Sequence, residues 1–187
     1  MEAILKKEII LNTRITKVLG VSVFVILTSL GAFVRIPLPF TPVPLTLQTF
    51  FVLLGAALLG GRLGTVTQVS YIFLGVLGLP IFSGAGSGFL YLCGPTAGYL
   101  AGFIFASLFI GRFIKFSRGN MLFTTGILFS ADLILLFCGA LWLKFLFGYN
   151  LHGALLLGLL PFIPGDLFKA AAAAAIYLKL KARPASA

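Results

Sequence analysis

Residues 18–34 read VLGVSVFVILTSLGAFV, an uncharged run preceded by Lys6, Lys7, Arg14 and Lys17 and followed at once by Arg35. At 1.5 Å per residue this run makes a helix of about 25 Å, close to the thickness of a bilayer's hydrocarbon core. A basic lead before an apolar run has the outline of a secretory signal. Here the apolar run is longer than the usual signal core, Leu30-Gly31-Ala32 is a poor cleavage site, and further apolar runs follow. The stretch is read as a retained first membrane helix.

Working outward, the next apolar runs are 47–59, 64–79, 95–114 and 121–147, and the last is 161–180. The expected fold is therefore an all-α integral membrane protein of six transmembrane helices in one bundle. Composition agrees: 60% of the 187 residues are hydrophobic and only 10% are charged, against about 25% charged in soluble domains. A lone His and four acids also deplete the side chains on which hydrolytic and metal chemistry depends. Cys93 and Cys138 lie in apolar stretches with no CxxC pair, so both are expected to be small buried residues rather than a disulfide or metal site.

A net charge of +10 in a soluble protein would suggest nucleic acid, but here the cations sort by loop. Six spans put both termini on one side. That side takes Lys6, Lys7, Arg14, Lys17, Arg62, Arg112, Lys115, Arg118, Lys179, Lys181 and Arg183, whereas the other keeps Arg35 and Lys144. Both termini are thus expected in the cytoplasm, with no nucleic-acid partner required. The organisation expected is a basic lead (1–17), a six-helix membrane domain (18–181) and a short cytoplasmic tail (182–187).

Polar groups in such a chain are costly and therefore informative. Asp166 and Lys169 stand three apart inside the last span, on one helix face. They are open to two readings, a ligand site near the outer side or an internal ion pair pinning the helix. Thr46 and Gln48, in the stiff segment 42–48 (PVPLTLQ), offer hydrogen-bonding groups on the same side, as does Tyr99 in Gly94-Pro95-Thr96-Ala97-Gly98-Tyr99. The segment 80–94 is too rich in glycine for a regular helix yet carries Phe82, Ser83, Phe89 and Tyr91, as a loop that lines a cavity would. Phe82, Phe89, Tyr91 and Tyr99 would form an aromatic wall. Asp132, inside the fifth span, is open to an interior ion pair or a surface toward a partner, a structural role being the favoured reading. On the first span Thr28 and Ala32 form a small-xxx-small pair suited to close helix contact with a partner.

Four segments together, 42–48 (PVPLTLQ), 78–84 (GLPIFSG), 94–99 (GPTAGY) and 164–169 (PGDLFK), resemble the BioY family, the biotin-specific S components of energy-coupling factor transporters. The resemblance spans all six expected helices. It implies a high-affinity biotin-binding and uptake protein of the prokaryotic cytoplasmic membrane, with the vitamin held by outer loops and helix ends. It further implies a transmembrane T component and two ABC ATPases as partners. The chain itself would bind no cofactor, ATP being used by the partners, since no GxxxxGK(S/T) loop is present. The substrate-binding residues so implied are Thr46, Gln48, Phe82, Ser83, Tyr91, Tyr99, Asp166 and Lys169. The alternatives are a biotin carrier that works without ATPases and, more remotely, a membrane-integral enzyme.

Overall fold

Long uncharged runs in lipid must satisfy their backbone hydrogen bonds internally, as helices or closed barrels do, and the computed structural model is mostly helix. It describes the backbone of residues 2–182 and the side chains from Arg14 onward. The chain runs α1 (Glu2–Phe33), a two-residue strand β1 (Arg35–Ile36), its antiparallel partner β2 (Leu45–Thr46), α2 (Gln48–Leu59), α3 (Gly61–Val76), α4 (Ala97–Phe113), α5 (Met121–Phe147), α6 (Leu151–Gly158) and α7 (Ile163–Ala182). Short 3₁₀ turns at Phe89–Cys93 and Ile114–Ser117 complete it.

Three stretches, Arg14–Phe33, Ala97–Ser117 and Met121–Phe147, are long and apolar enough to cross a membrane, and α6 with α7 makes a fourth as a pair bent by 52°. The fifth apolar run, 121–147, coincides with α5. Asn120 starts α5 by accepting from the Phe123 N–H at 3.2 Å, and Gly148 ends it in the left-handed conformation. The basic lead is a continuation of α1 rather than a separate segment, and the expected tail lies outside the described residues from Arg183 on. The run 161–180 begins inside the bend, because Asn150 caps a separate helix, α6, ahead of it.

α2 and α3 span about 18 and 24 Å, less than a bilayer core. Their shortness is compensated by burial: α2 touches α1, α3, α4, α5 and α7, and its Val52, Leu53 and Ala56 are wholly enclosed. The outward faces are apolar instead, with Leu19, Ile26, Phe105, Phe145 and Phe168 exposed, which in water would be a large unpaired patch and in lipid is the normal surface. Cys93 is exposed and Cys138 half-buried, both free, so only the second approaches the buried position expected for the pair.

Two contacts fix which loops share an end. Gly61 packs directly on Gly111, bringing the α2–α3 turn to the end of α4, and Arg118 and Gly119 share a groove with Lys181 and Ala182. Arg62, Arg112, Lys115, Arg118 and Lys181 therefore gather at one end of the bundle. The starts of α2, α4 and α7 lie at the other.

Candidate ligand pocket

At that second end the segment 42–46 folds back through the β1–β2 ladder, in which Arg35 pairs with Thr46, and Leu47 N–H bonds to the carbonyls of Gly31 and Val34. This pins the start of α2 over the start of α7. Pro164 sits in the first turn of α7, where its missing N–H is harmless, and Asp166 follows in the same turn, where a carboxylate suits the helix dipole.

Asp166 is 1% exposed. Its Oδ1 accepts from Lys169 Nζ at 2.6 Å and from Thr49 Oγ1 at 3.1 Å. Lys169 Nζ also donates to the Thr46 carbonyl at 2.6 Å and to Thr49 Oγ1 at 3.1 Å, which uses all three ammonium donors. An isolated charge here would be strongly unfavourable, whereas a paired and hydrogen-bonded charge is tolerated. The pair is thus an internal ion pair, and it also lines the pocket.

Gln48 extends the polar rim. It is buried, its Nε2 donating to Tyr71 Oη at 2.7 Å and its Oε1 accepting from Thr46 Oγ1 at 3.3 Å; Tyr71 in turn donates to the Ile81 carbonyl at 2.9 Å. The relay ties α2 and α3 to the loop 80–94. That loop is held again by Phe82, wholly buried with its ring on Gly75, where any side chain would collide. Tyr91 stacks on Phe82 at 4.6 Å between centroids and donates to the Ser83 carbonyl at 3.2 Å. Burial pushes the Tyr91 hydroxyl above its ordinary value, so it remains a neutral donor.

The pocket is lined by Thr46, Gln48, Ser83, Tyr91, Tyr99, Asp166 and Lys169 together with Thr49, Phe103 and Phe162. Phe82 supports the wall from behind Tyr91 and does not line it. Phe89 is a correction to the expected aromatic wall: it is 66% exposed, because the 3₁₀ turn points Phe89 and Leu90 outward. Tyr99 lies against Gly139, and its hydroxyl is committed to the Gly158 carbonyl at 2.6 Å, so it contributes ring surface rather than a free donor. Ser83 Oγ is the reverse case, buried with no partner among the described residues and open to a ligand. The cavity as it stands is about 40 Å³, room for a few waters, so a larger ligand requires the covering loops to part.

A second correction concerns α1. Thr28 and Ala32 are wholly buried, Thr28 Oγ1 bonding to the Phe24 carbonyl at 2.7 Å, and adjacent Gly31 abuts the start of α2. The small face serves packing within the chain and is not available to a partner. Three residues that sequence reasoning passed over also shape the site. Thr49 bridges the ion pair, Tyr71 carries the relay, and Trp142 donates from Nε1 to the Gly94 carbonyl at 2.8 Å and holds the entry to α4.

A largely helical membrane protein with one polar, enclosed pocket at the convergence of short helix ends and loops is a small-molecule binding protein of the membrane. The chain belongs to the BioY family, matching it over residues 5–185. It is 40% identical over 161 residues to a probable biotin transporter BioY of Pyrococcus horikoshii, covering 86% of this chain and 93% of that one. It is 36% identical over 160 residues to the biotin transporter BioY of Thermotoga maritima, covering 85% and 92% respectively. Among solved structures, the S component for biotin from an ECF-type ABC transporter superposes with a TM-score of 0.86 at 28% identity, covering 92% of this chain and 94% of that one.

Proposed function

We propose that the chain captures biotin at the pocket between the starts of α2, α4 and α7 and serves as the substrate-binding component of an energy-coupled uptake system. It is a transporter protein and not an enzyme. The observation that carries the reading is the Asp166–Lys169–Thr49 cluster lining the pocket of a BioY-family chain. Biotin presents two ureido N–H donors, one carbonyl acceptor and a carboxylate tail. Asp166 accepts from the ureido donors, held in place by Lys169, whose own donors are spent on the protein. Ser83 Oγ, Thr46 and Gln48 supply the complementary bonds, while Tyr91 and Tyr99 pack against the rings and Phe82 braces Tyr91. A ligand that leaves one of these groups unpaired loses about 1–3 kcal/mol, which is the basis of selectivity.

Residues 18–181 form the membrane domain, with α2 and α3 completing six spans. The cations gathered at the far end support cytoplasmic termini and an outward-facing pocket in a prokaryotic cytoplasmic membrane. The partners are a transmembrane T component and two ABC ATPases docking at that end, and ATP is theirs, not this chain's. Uptake of labelled biotin by a biotin-auxotrophic host expressing the chain tests this. Uptake that depends on the energising module supports the assignment. Persistent uptake without it makes the chain a carrier working alone, and no uptake under either condition contradicts the proposal.

A further inference from the structure

Two loops, 35–46 and 80–94, contribute Thr46 on one side and Ser83 and Tyr91 on the other to the pocket wall, and one side chain spans the seam between them. Arg35 stands directly opposite Thr46 in the β1–β2 ladder, so the two side chains leave the ladder on the same face about 5 Å apart. From there the guanidinium reaches the second loop. A Cβ built on Gly84 would stand 2.6 Å from Arg35 Nη1, so a residue without a side chain is what leaves the guanidinium room. Gly84 also takes a φ of +77°, which favours glycine. It directly follows Ser83, whose buried Oγ has no partner among the described residues.

Arg35 is exposed and makes no ion pair or hydrogen bond among the described residues. Its charge is therefore unspent. Lys169 is the opposite case, because its three N–H bonds go to Asp166, the Thr46 carbonyl and Thr49, leaving none for an incoming anion. The described acids do not answer Arg35 either: Asp166 holds Lys169, and Asp132 is wholly buried in α5. A ligand whose hydrogen-bonding head is received at Asp166 and whose other end is anionic thus meets an unspent cation where the loops join. A guanidinium presents parallel N–H donors that match the two oxygens of a carboxylate.

We infer that Arg35 is the specificity residue for the anionic tail of the ligand: with the ureido ring at Asp166, the tail runs to the seam between the loops and its carboxylate pairs with the Arg35 guanidinium. The choice of a carboxylate rests on the biotin reading above and deepens it. Recognition is thereby divided between two cations. Lys169 holds Asp166 in place for the head, and Arg35 reads the charge of the tail. Because Arg35 belongs to one loop and lies against the other, a carboxylate held there also fastens the seam through which the ligand entered.

Equilibrium binding of biotin and of biotinamide, its primary amide with the same rings and tail but no charge, tests this on the detergent-purified protein. The wild type should bind biotin about tenfold more tightly than the amide. Arg35→Gln should bind the amide as the wild type does and biotin no better than the amide. Lys144→Gln, which removes an exposed cation of α5, should keep the wild-type preference. An arginine that merely props the loop would instead weaken both ligands equally in Arg35→Gln and leave the preference intact, which would overturn the inference. A preference lost in Lys144→Gln and kept in Arg35→Gln would overturn it as well. The wild-type comparison needs no variant: equal affinity for the two ligands would remove the role of Arg35 and leave the biotin reading standing. Binding of neither ligand would refute the biotin reading and the role of Arg35 with it.

Discussion

The two ends of the bundle solve opposite problems with opposite materials. At the pocket end a few polar groups are buried and bonded to one another, and loops 35–46 and 80–94 are fastened by side chains from other elements: Tyr71 to Ile81, Trp142 to Gly94 and Lys169 to Thr46. At the far end the cations stand exposed, Lys115 over Phe116 and Lys181 over Tyr177, amid outward-facing Phe113 and Phe123. The Asp166–Lys169 charge at the first end is enclosed, so each of the two depends on its partner. At the second it is solvated, where single pairs contribute at most about 1 kcal/mol and the collective effect is on orientation in the membrane.

The sharpest way to break this contrast is Lys169→Ala. Removing one partner of an enclosed pair costs about 3–5 kcal/mol, so biotin binding in an equilibrium assay should weaken by at least about a hundredfold. Asp166→Asn should likewise abolish tight binding. Retained affinity in both would mean that the pair only pins the helix. Gly139→Ala tests packing at the same end: a methyl there collides with the Tyr99 ring, and overpacking of this kind costs about 1–3 kcal/mol. A thermal-shift assay should record a clear fall in melting temperature alongside weaker biotin binding. Tyr71→Phe removes the hydroxyl that joins Gln48 to Ile81 and should lower affinity several-fold, as expected for one hydrogen bond of about 1 kcal/mol.

The smallest effect belongs to the far end. Arg62→Gln with Arg118→Gln should leave biotin affinity of the purified protein within about twofold. In cells the same pair should shift a C-terminal topology reporter toward the outside. A large loss of binding in the purified variant would erase the distinction between the two ends.

The parts of this architecture legible in the sequence are those with a local signature. α5 is one uncharged stretch broken by Asp132 alone until Lys144, with a cap residue at one end and glycine at the other. Asp166 and Lys169 stand out because charge inside a span is expensive. The bend between α6 and α7 was not legible, since 151–160 is as apolar as a continuous span. Thr49 and Tyr71 carry no local mark either; their partners lie 117 and 23 residues away in the chain. Phe89 and Tyr91 look alike in a glycine-rich segment, and only the 3₁₀ turn decides that one faces out and the other in. Thr28 and Ala32 show the same degeneracy, because a small face reads identically whether it meets a helix of the same chain or of another.

Equilibrium binding of biotin to the purified chain alone, with desthiobiotin, thiamine and riboflavin as competitors, tests the central claim most directly. The pocket built around Asp166 and Lys169 predicts saturable one-to-one binding of biotin that thiamine and riboflavin do not displace. Absence of saturable binding by folded, biotin-stripped protein would contradict it.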